Sequence, residues 1–195
     1  MDLRRARPWA RAAGVTGTAA NVLLVAFYAL EAGRRRVLPV SLGSVNDVVG
    51  AAGTALMVPV VVAISPDRWT RRLGLTATGV LTLAGPALVL GLVPFRVQLP
   101  VSLGAFGGLA GWVLLTSRGL RGTLPDEVTR LGVRSAGAVL AGGVVAGTAV
   151  LLPPASVLRR AVLASGTAPG VLGMLALPVW FLRLGRAPAA DVPGL

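Results

Sequence analysis

Charge is missing from six long stretches of this chain, and that spacing constrains its fold more than any motif. The uncharged runs cover residues 12–30, 48–66, 73–95, 97–117, 135–158 and 161–182, and the shortest is 19 residues long. A helix needs about 20 predominantly apolar residues to cross a hydrocarbon core about 30 Å thick. Six runs reach that length. The remaining uncharged stretch, Val37–Asn46, is too short and contains Pro39, so it is expected to be a loop. With 54% hydrophobic and only 13% charged residues, a water-soluble fold of 195 residues could not hide its apolar surface. The expected fold class is all-α: a polytopic membrane helical bundle of about six transmembrane helices, forming a single transmembrane domain over 1–195.

The first run could be mistaken for a secretory signal, since Arg4, Arg5, Arg7 and Arg11 precede it. Its 19 residues exceed an ordinary signal core of about 7–15, and no small-x-small cleavage site follows. It is expected to remain as a membrane anchor.

Arginine sets the expected direction. All nineteen basic residues are Arg, and the net charge is +12. With the N-terminus inside, the inner segments hold Arg4, Arg5, Arg7, Arg11, Arg68, Arg71, Arg72, Arg118, Arg121, Arg130, Arg134, Arg183 and Arg186. The outer segments hold Arg34, Arg35, Arg36, Arg96, Arg159 and Arg160. That bias predicts a multi-pass plasma-membrane protein with both termini cytoplasmic. Trp9, Trp69, Trp112 and Trp180 then all fall toward the inner side, where indole rings are expected at the membrane–water interface. The positive charge is accounted for by orientation and anionic headgroups, so nucleic acid is not an expected partner.

Missing residue types exclude chemistry. There is no Cys, no His and no Lys. Disulfides, thiolate catalysis, the usual zinc ligand sets, imidazole base chemistry and Schiff bases are therefore out of reach. No phosphate-binding loop or dinucleotide fingerprint occurs. All seven carboxylates (Asp2, Glu31, Asp47, Asp67, Asp126, Glu127 and Asp191) lie at span ends or in loops. This speaks against a proton relay at mid-depth. No enzyme activity and no cofactor is expected.

Three polar or small-residue patterns remain. Glu31, Arg34, Arg35, Arg36, Asn46 and Asp47 cluster around the first outer loop, where two acids and three arginines could pair into a lid. An external anion is the alternative partner, and Glu31 or Asp47 as the base of a lipid-modifying enzyme is a distant third reading. Asn21 is the one carboxamide well inside a span and is expected to bond a neighbouring helix. Thr54, Thr76, Thr78, Thr82 and Thr148 are the other polar groups at depth. Gly104, Gly107, Gly108 and Gly111 form two overlapping G-x-x-x-G pairs, and Gly143 and Gly147 a third. That spacing puts glycines on one helix face and predicts close helix packing, within the chain or between copies.

Local signals mark the ends of spans. Ser44-Val-Asn-Asp47 and Thr123-Leu-Pro-Asp126 resemble capping boxes opening spans 2 and 5. Pro153-Pro154 is expected to close span 5, and Pro59, Pro86, Pro169 and Pro178 to kink spans 2, 3 and 6. The short outer loop Pro94–Pro100 predicts a tight hairpin between spans 3 and 4.

Six spans with short Arg-rich loops and no soluble domain resemble small integral-membrane proteins of high-GC Gram-positive bacteria to which no function is assigned. The likeness rests on pattern over the whole chain and implies neither a substrate nor functional residues. The expected function is that of a non-enzymatic helical-bundle accessory or interaction protein. Its partners are the lipid bilayer and either another membrane protein or a second copy. A small transporter or flippase-like carrier of a neutral or anionic solute is the alternative.

Overall fold

The structure, a computed structural model, describes residues 2–31 and 41–187. Six helices account for almost all of them: α1 Leu3–Leu30, α2 Leu42–Ile64, α3 Arg68–Val89, α4 Phe95–Gly119, α5 Asp126–Thr148 and α6 Val157–Arg186. No β-strand occurs among the described residues. Each helix is long and apolar enough to cross a membrane. The shortest, α3, has 22 residues, about 33 Å at 1.5 Å per residue, against a hydrocarbon core of about 30 Å.

The helices form a closed ring. Each packs on its neighbours in sequence, and α6 returns to pack on α1. Several contacts bring the start of α1 and the end of α6 to one end of the bundle, called here the termini end. The Asp2 amide donates to the Ala63 carbonyl at 2.9 Å, tying the start of α1 to the end of α2. Arg11 Nε donates to the Gly185 carbonyl at 2.8 Å, tying α1 to α6. Pro66 packs on Gly119, and Arg183 pairs with Glu127 at 3.5 Å.

Helix ends follow local chemistry more than span hydropathy. Asp2, Ser41, Asp67 and Ser156 cap α1, α2, α3 and α6 with side-chain oxygens, satisfying amides that have no partner inside a helix. The two expected capping boxes are not used. The α2 start falls on Ser41, leaving Ser44 inside the helix. At α5 the cap position is Pro125, with no side-chain hydrogen bond, and Thr123 lies in the preceding turn.

Span limits shift accordingly. α3 stops at Val89 rather than 95, because Gly91 takes φ +69° and turns the chain, a conformation glycine adopts without steric cost. α4 begins at Phe95, so Pro100 lies inside it and the α3–α4 loop is shorter than expected. α5 starts at Asp126 and ends at Thr148, followed by a 3-10 turn at Ala149–Leu151 and then Pro153-Pro154. α1 and α6 extend past their uncharged runs into arginine-bearing turns at the termini end.

The core sits in the half of the ring next to the termini. Trp112, Trp180, Phe181, Ile64, Leu109, Leu120 and Leu184 are the largest fully buried side chains. In the opposite half, the described parts of α2 (42–50), α4 (95–104) and α6 (157–165) contain no buried residue.

Candidate functional site

At the termini end the ring is filled by an aromatic cluster. Trp112 of α4 meets Trp180 of α6 edge-on, with ring centroids 6.0 Å apart, and stacks on Phe181 at 6.2 Å. Two glycines make room for the indoles. A Cβ on Gly74 of α3 would lie 2.7 Å from Trp112 Cδ1, and one on Gly132 of α5 would lie 2.5 Å from Trp180 Nε1. Trp112 Nε1 donates to Ser65 Oγ at 2.9 Å, and Ser65 Oγ donates to the Val61 carbonyl at 2.6 Å.

This corrects the interfacial reading for two of the four tryptophans. Trp9 and Trp69 are exposed, and the Arg68 and Arg72 guanidiniums lie 5.2 and 5.1 Å from the Trp69 ring centroid. Trp112 and Trp180 are wholly buried. They sit about two turns inside the ends of α4 and α6, because both helices continue past their uncharged runs. No sequence pattern marks the hydroxyls beside them. Thr116 Oγ1, Ser117 Oγ, Thr129 Oγ1 and Trp180 Nε1 are buried without a hydrogen-bond partner among the described residues. Ordered water is the usual means of satisfying such groups.

The polar residues at depth are engaged within the bundle. Thr54 Oγ1 and Thr82 Oγ1 share a hydrogen bond of 3.0 Å between α2 and α3. Thr78, fully buried, donates to the Gly74 carbonyl of its own helix at 2.8 Å. Asn21 Nδ2 reaches the Leu175 carbonyl of α6 at 3.4 Å. That carbonyl lies on the turn before Pro178, whose missing N–H loosens the helix there. Gly17, one turn earlier on α1, accepts the Pro178 ring, which lies 3.1 Å from where its Cβ would be. α1 is therefore shaped to the Pro178 ring of α6.

The expected outer-loop cluster is only partly described. Arg34, Arg35 and Arg36 lie outside the described residues. Glu31 is buried, and its Oε2 accepts from Ser41 Oγ at 2.9 Å and from the Leu42 amide at 3.0 Å. The end of α1 thus caps the start of α2. Asn46 and Asp47 are half-buried in the early turns of α2, and the Asp47 carbonyl oxygen would lie 2.7 Å from a Cβ on Gly85 of α3.

The glycine faces are placed differently from expectation. Gly108 and Gly111 face Ala77 and Leu73 of α3, at 3.3 and 3.4 Å from their ideal Cβ positions. Gly104, Gly107, Gly143 and Gly147 have nothing within 4 Å of that position among the described residues, so they are not contact points between the described helices. The close α5–α6 approach uses Gly142, Gly166 and Gly173 instead. A Cβ on Gly166 would lie 2.7 Å from the Gly142 carbonyl oxygen, and one on Gly173 would lie 2.9 Å from the Val139 amide. The G-x-x-x-G spacing is real, but the face it marks on α5 is one residue away from the face that packs.

Six apolar helices in a closed ring define the class: a multi-pass helical membrane protein. The chain matches no family model, no curated protein and no solved structure.

Proposed function

We propose that this chain is a non-enzymatic helical-bundle protein of the plasma membrane that acts as an accessory to, or interaction partner of, another membrane protein or a second copy of itself. The carrying observation is the engaged interior. Trp112, Trp180 and Phe181 fill the termini half, and Thr54, Thr78 and Asn21 at mid-depth bond within the bundle. A carrier needs polar groups free to meet a solute near the midplane. The uncovered Gly104–Gly107 and Gly143–Gly147 faces supply small-residue surfaces on which a further helix can approach closely. Thirteen arginines on the termini end support cytoplasmic termini. Neither a cofactor nor nucleic acid enters this reading.

The chain contains no Cys, so single-cysteine cross-linking in native membranes is clean. Gly104→Cys, Gly107→Cys and Gly143→Cys should give cross-linked species that survive denaturing electrophoresis. Uncross-linked protein at all three positions, with a monodisperse monomer and no co-purifying protein in mild detergent, would overturn the interaction reading. A phosphatase fused after Val93 should be active and a green fluorescent protein fused after Leu195 should fluoresce; the reverse pattern refutes the orientation.

One observation favours a solute carrier as the second reading: buried residues are missing from the outer turns of α2, α4 and α6. An aqueous opening on that side would leave Gly50, which has nothing within 4 Å of its ideal Cβ, facing water. Labelling of Gly50→Cys by a membrane-impermeant thiol reagent supports the carrier. Protection of that cysteine argues against it.

A further inference from the structure

At the termini end, the first turns of α1, the last turns of α2 and the start of α3 enclose an open groove of about 820 Å³. Its floor is apolar, formed by Val58, Pro59 and Val62 of α2, and its rim carries Asp2, Arg5 of α1, Arg71 of α3 and, one turn below Arg5, Trp9. From the end of α2 down to Val58 is six residues, a depth of about 9 Å. The groove thus runs from the level of the helix ends into the apolar part of the bundle, with its charge at the top only.

We infer that this groove binds an anionic phospholipid, with the phosphodiester between Arg5 and Arg71 and an acyl chain along Val58, Pro59 and Val62. Guanidinium groups present forked donors that match phosphate oxygens. A tryptophan one helical turn below Arg5 suits the glycerol region, where one side of the ring is apolar and the N–H is wet. Basic pockets between transmembrane helices are a recurrent headgroup site. The charges at hand fit that occupant. Arg5 holds Asp2 through its Nε at 3.1 Å, and among the described residues no carboxylate lies within ion-pair distance of Arg71. The groove walls are fixed in advance, because the Asp2 amide is bonded to the Ala63 carbonyl and the Asp2 carboxylate caps α1. A protein segment is the less fitting occupant, since the apolar floor lies at the depth of lipid chains.

The groove tryptophan is also the probe. In the full chain carrying Trp69→Phe, Trp9 is the remaining exposed indole, with Trp112 and Trp180 buried. The protein is reconstituted in phosphatidylcholine vesicles containing some phosphatidylglycerol, with bromine on the acyl chains of one lipid or the other at equal brominated mole fraction. Brominated phosphatidylglycerol should quench Trp9 several-fold more strongly than brominated phosphatidylcholine. Each arginine removed, Arg5→Gln or Arg71→Gln, should lower that preference by about fivefold, the equivalent of about 1 kcal/mol per arginine near an anionic surface, down to parity. Asp2→Asn should raise it by releasing Arg5. The near-ultraviolet dichroism of the Trp112–Trp180 pair reports folding in every variant. Equal quenching by the two lipids in the parent chain overturns the inference. So does an equal loss of preference in the control Arg118→Gln plus Arg121→Gln, which would mean that surface charge alone selects the lipid.

Discussion

Gly166 on α6 faces Gly142 on α5 so closely that any Cβ on Gly166 would meet backbone, 2.7 Å from the Gly142 carbonyl oxygen and closer still to the Ala146 amide. Backbone cannot swing aside as a side chain can. Gly166→Ala is expected to cost about 1–3 kcal/mol, the usual range for forced overpacking, measured by unfolding in mixed detergent micelles. Gly143→Ala, one residue from Gly142 but in open space, should be neutral or stabilise by about 0.5–1 kcal/mol through reduced backbone freedom in the unfolded chain. A residue-scale prediction of another kind concerns Asp67. Its Oδ1 accepts from the Trp69 and Thr70 amides at 2.7 and 2.9 Å and its Oδ2 from the Thr70 hydroxyl at 2.7 Å. The Thr70 hydroxyl first, then the amides, hold its carboxyl below the ordinary value of 3.8. A depressed pKa in the folded state means the cap contributes fully above pH about 4 and is lost as the pH falls through the lowered value. Trp69 fluorescence should report an acid transition in the parent chain that is flattened in Asp67→Asn, which keeps an oxygen acceptor but no titrating group.

Among elements, the contact between α1 and α6 gives the sharpest test. The Pro178 ring rests on Gly17 at 3.1 Å from the ideal Cβ, so Gly17→Leu should force the helices apart and destabilise the fold by about 1–3 kcal/mol. Combining it with Pro178→Ala removes the ring and should recover part of that loss, a coupling that a double-mutant cycle in detergent unfolding would read. The sequence alone carried the number of helices and their approximate positions, because charge spacing acts locally. The partner of each helix face was not legible there. Gly143 and Gly147 have the packing spacing yet miss the contact by one residue, about 100° of helix rotation, and rotation is set by the whole bundle. Trp112 and Trp180 looked interfacial because they lie near the ends of their uncharged runs. Helices α4 and α6 outlast those runs, so the indoles are buried instead, and the glycines that admit them, Gly74 and Gly132, belong to other helices. The groove with Arg5 and Arg71 joins α1 to α3 across α2, beyond the reach of any local pattern. Of the expected outer cluster, Arg34, Arg35 and Arg36 lie outside the described residues, and Glu31 is seen capping α2 through its Oε2.

For the whole molecule, the division into two halves governs how stability and charge are distributed. The aromatic cluster, the caps of α1 and α3, and most of the arginines share the termini end, while the other half depends on the Glu31 cap, the Thr54–Thr82 bond and the α5–α6 glycine contact. The closure of α6 onto α1 has a consequence for the order of the helices along the chain. In a ring where each helix packs chiefly on its two neighbours, with the Trp112 contact to Trp180 and Phe181 crossing from α4 to α6, the set of interfaces does not depend on which junction the polypeptide leaves open. A circular permutant that joins the present ends with a short flexible linker, and begins instead at the exposed, positive-φ Gly122 in the α4–α5 turn, keeps all six interfaces and returns both new ends to the same face. It should insert, purify and show the parent's near-ultraviolet dichroism. A permutant that cannot be recovered folded would mean that the order of helix insertion, and not the set of contacts, dictates this ring.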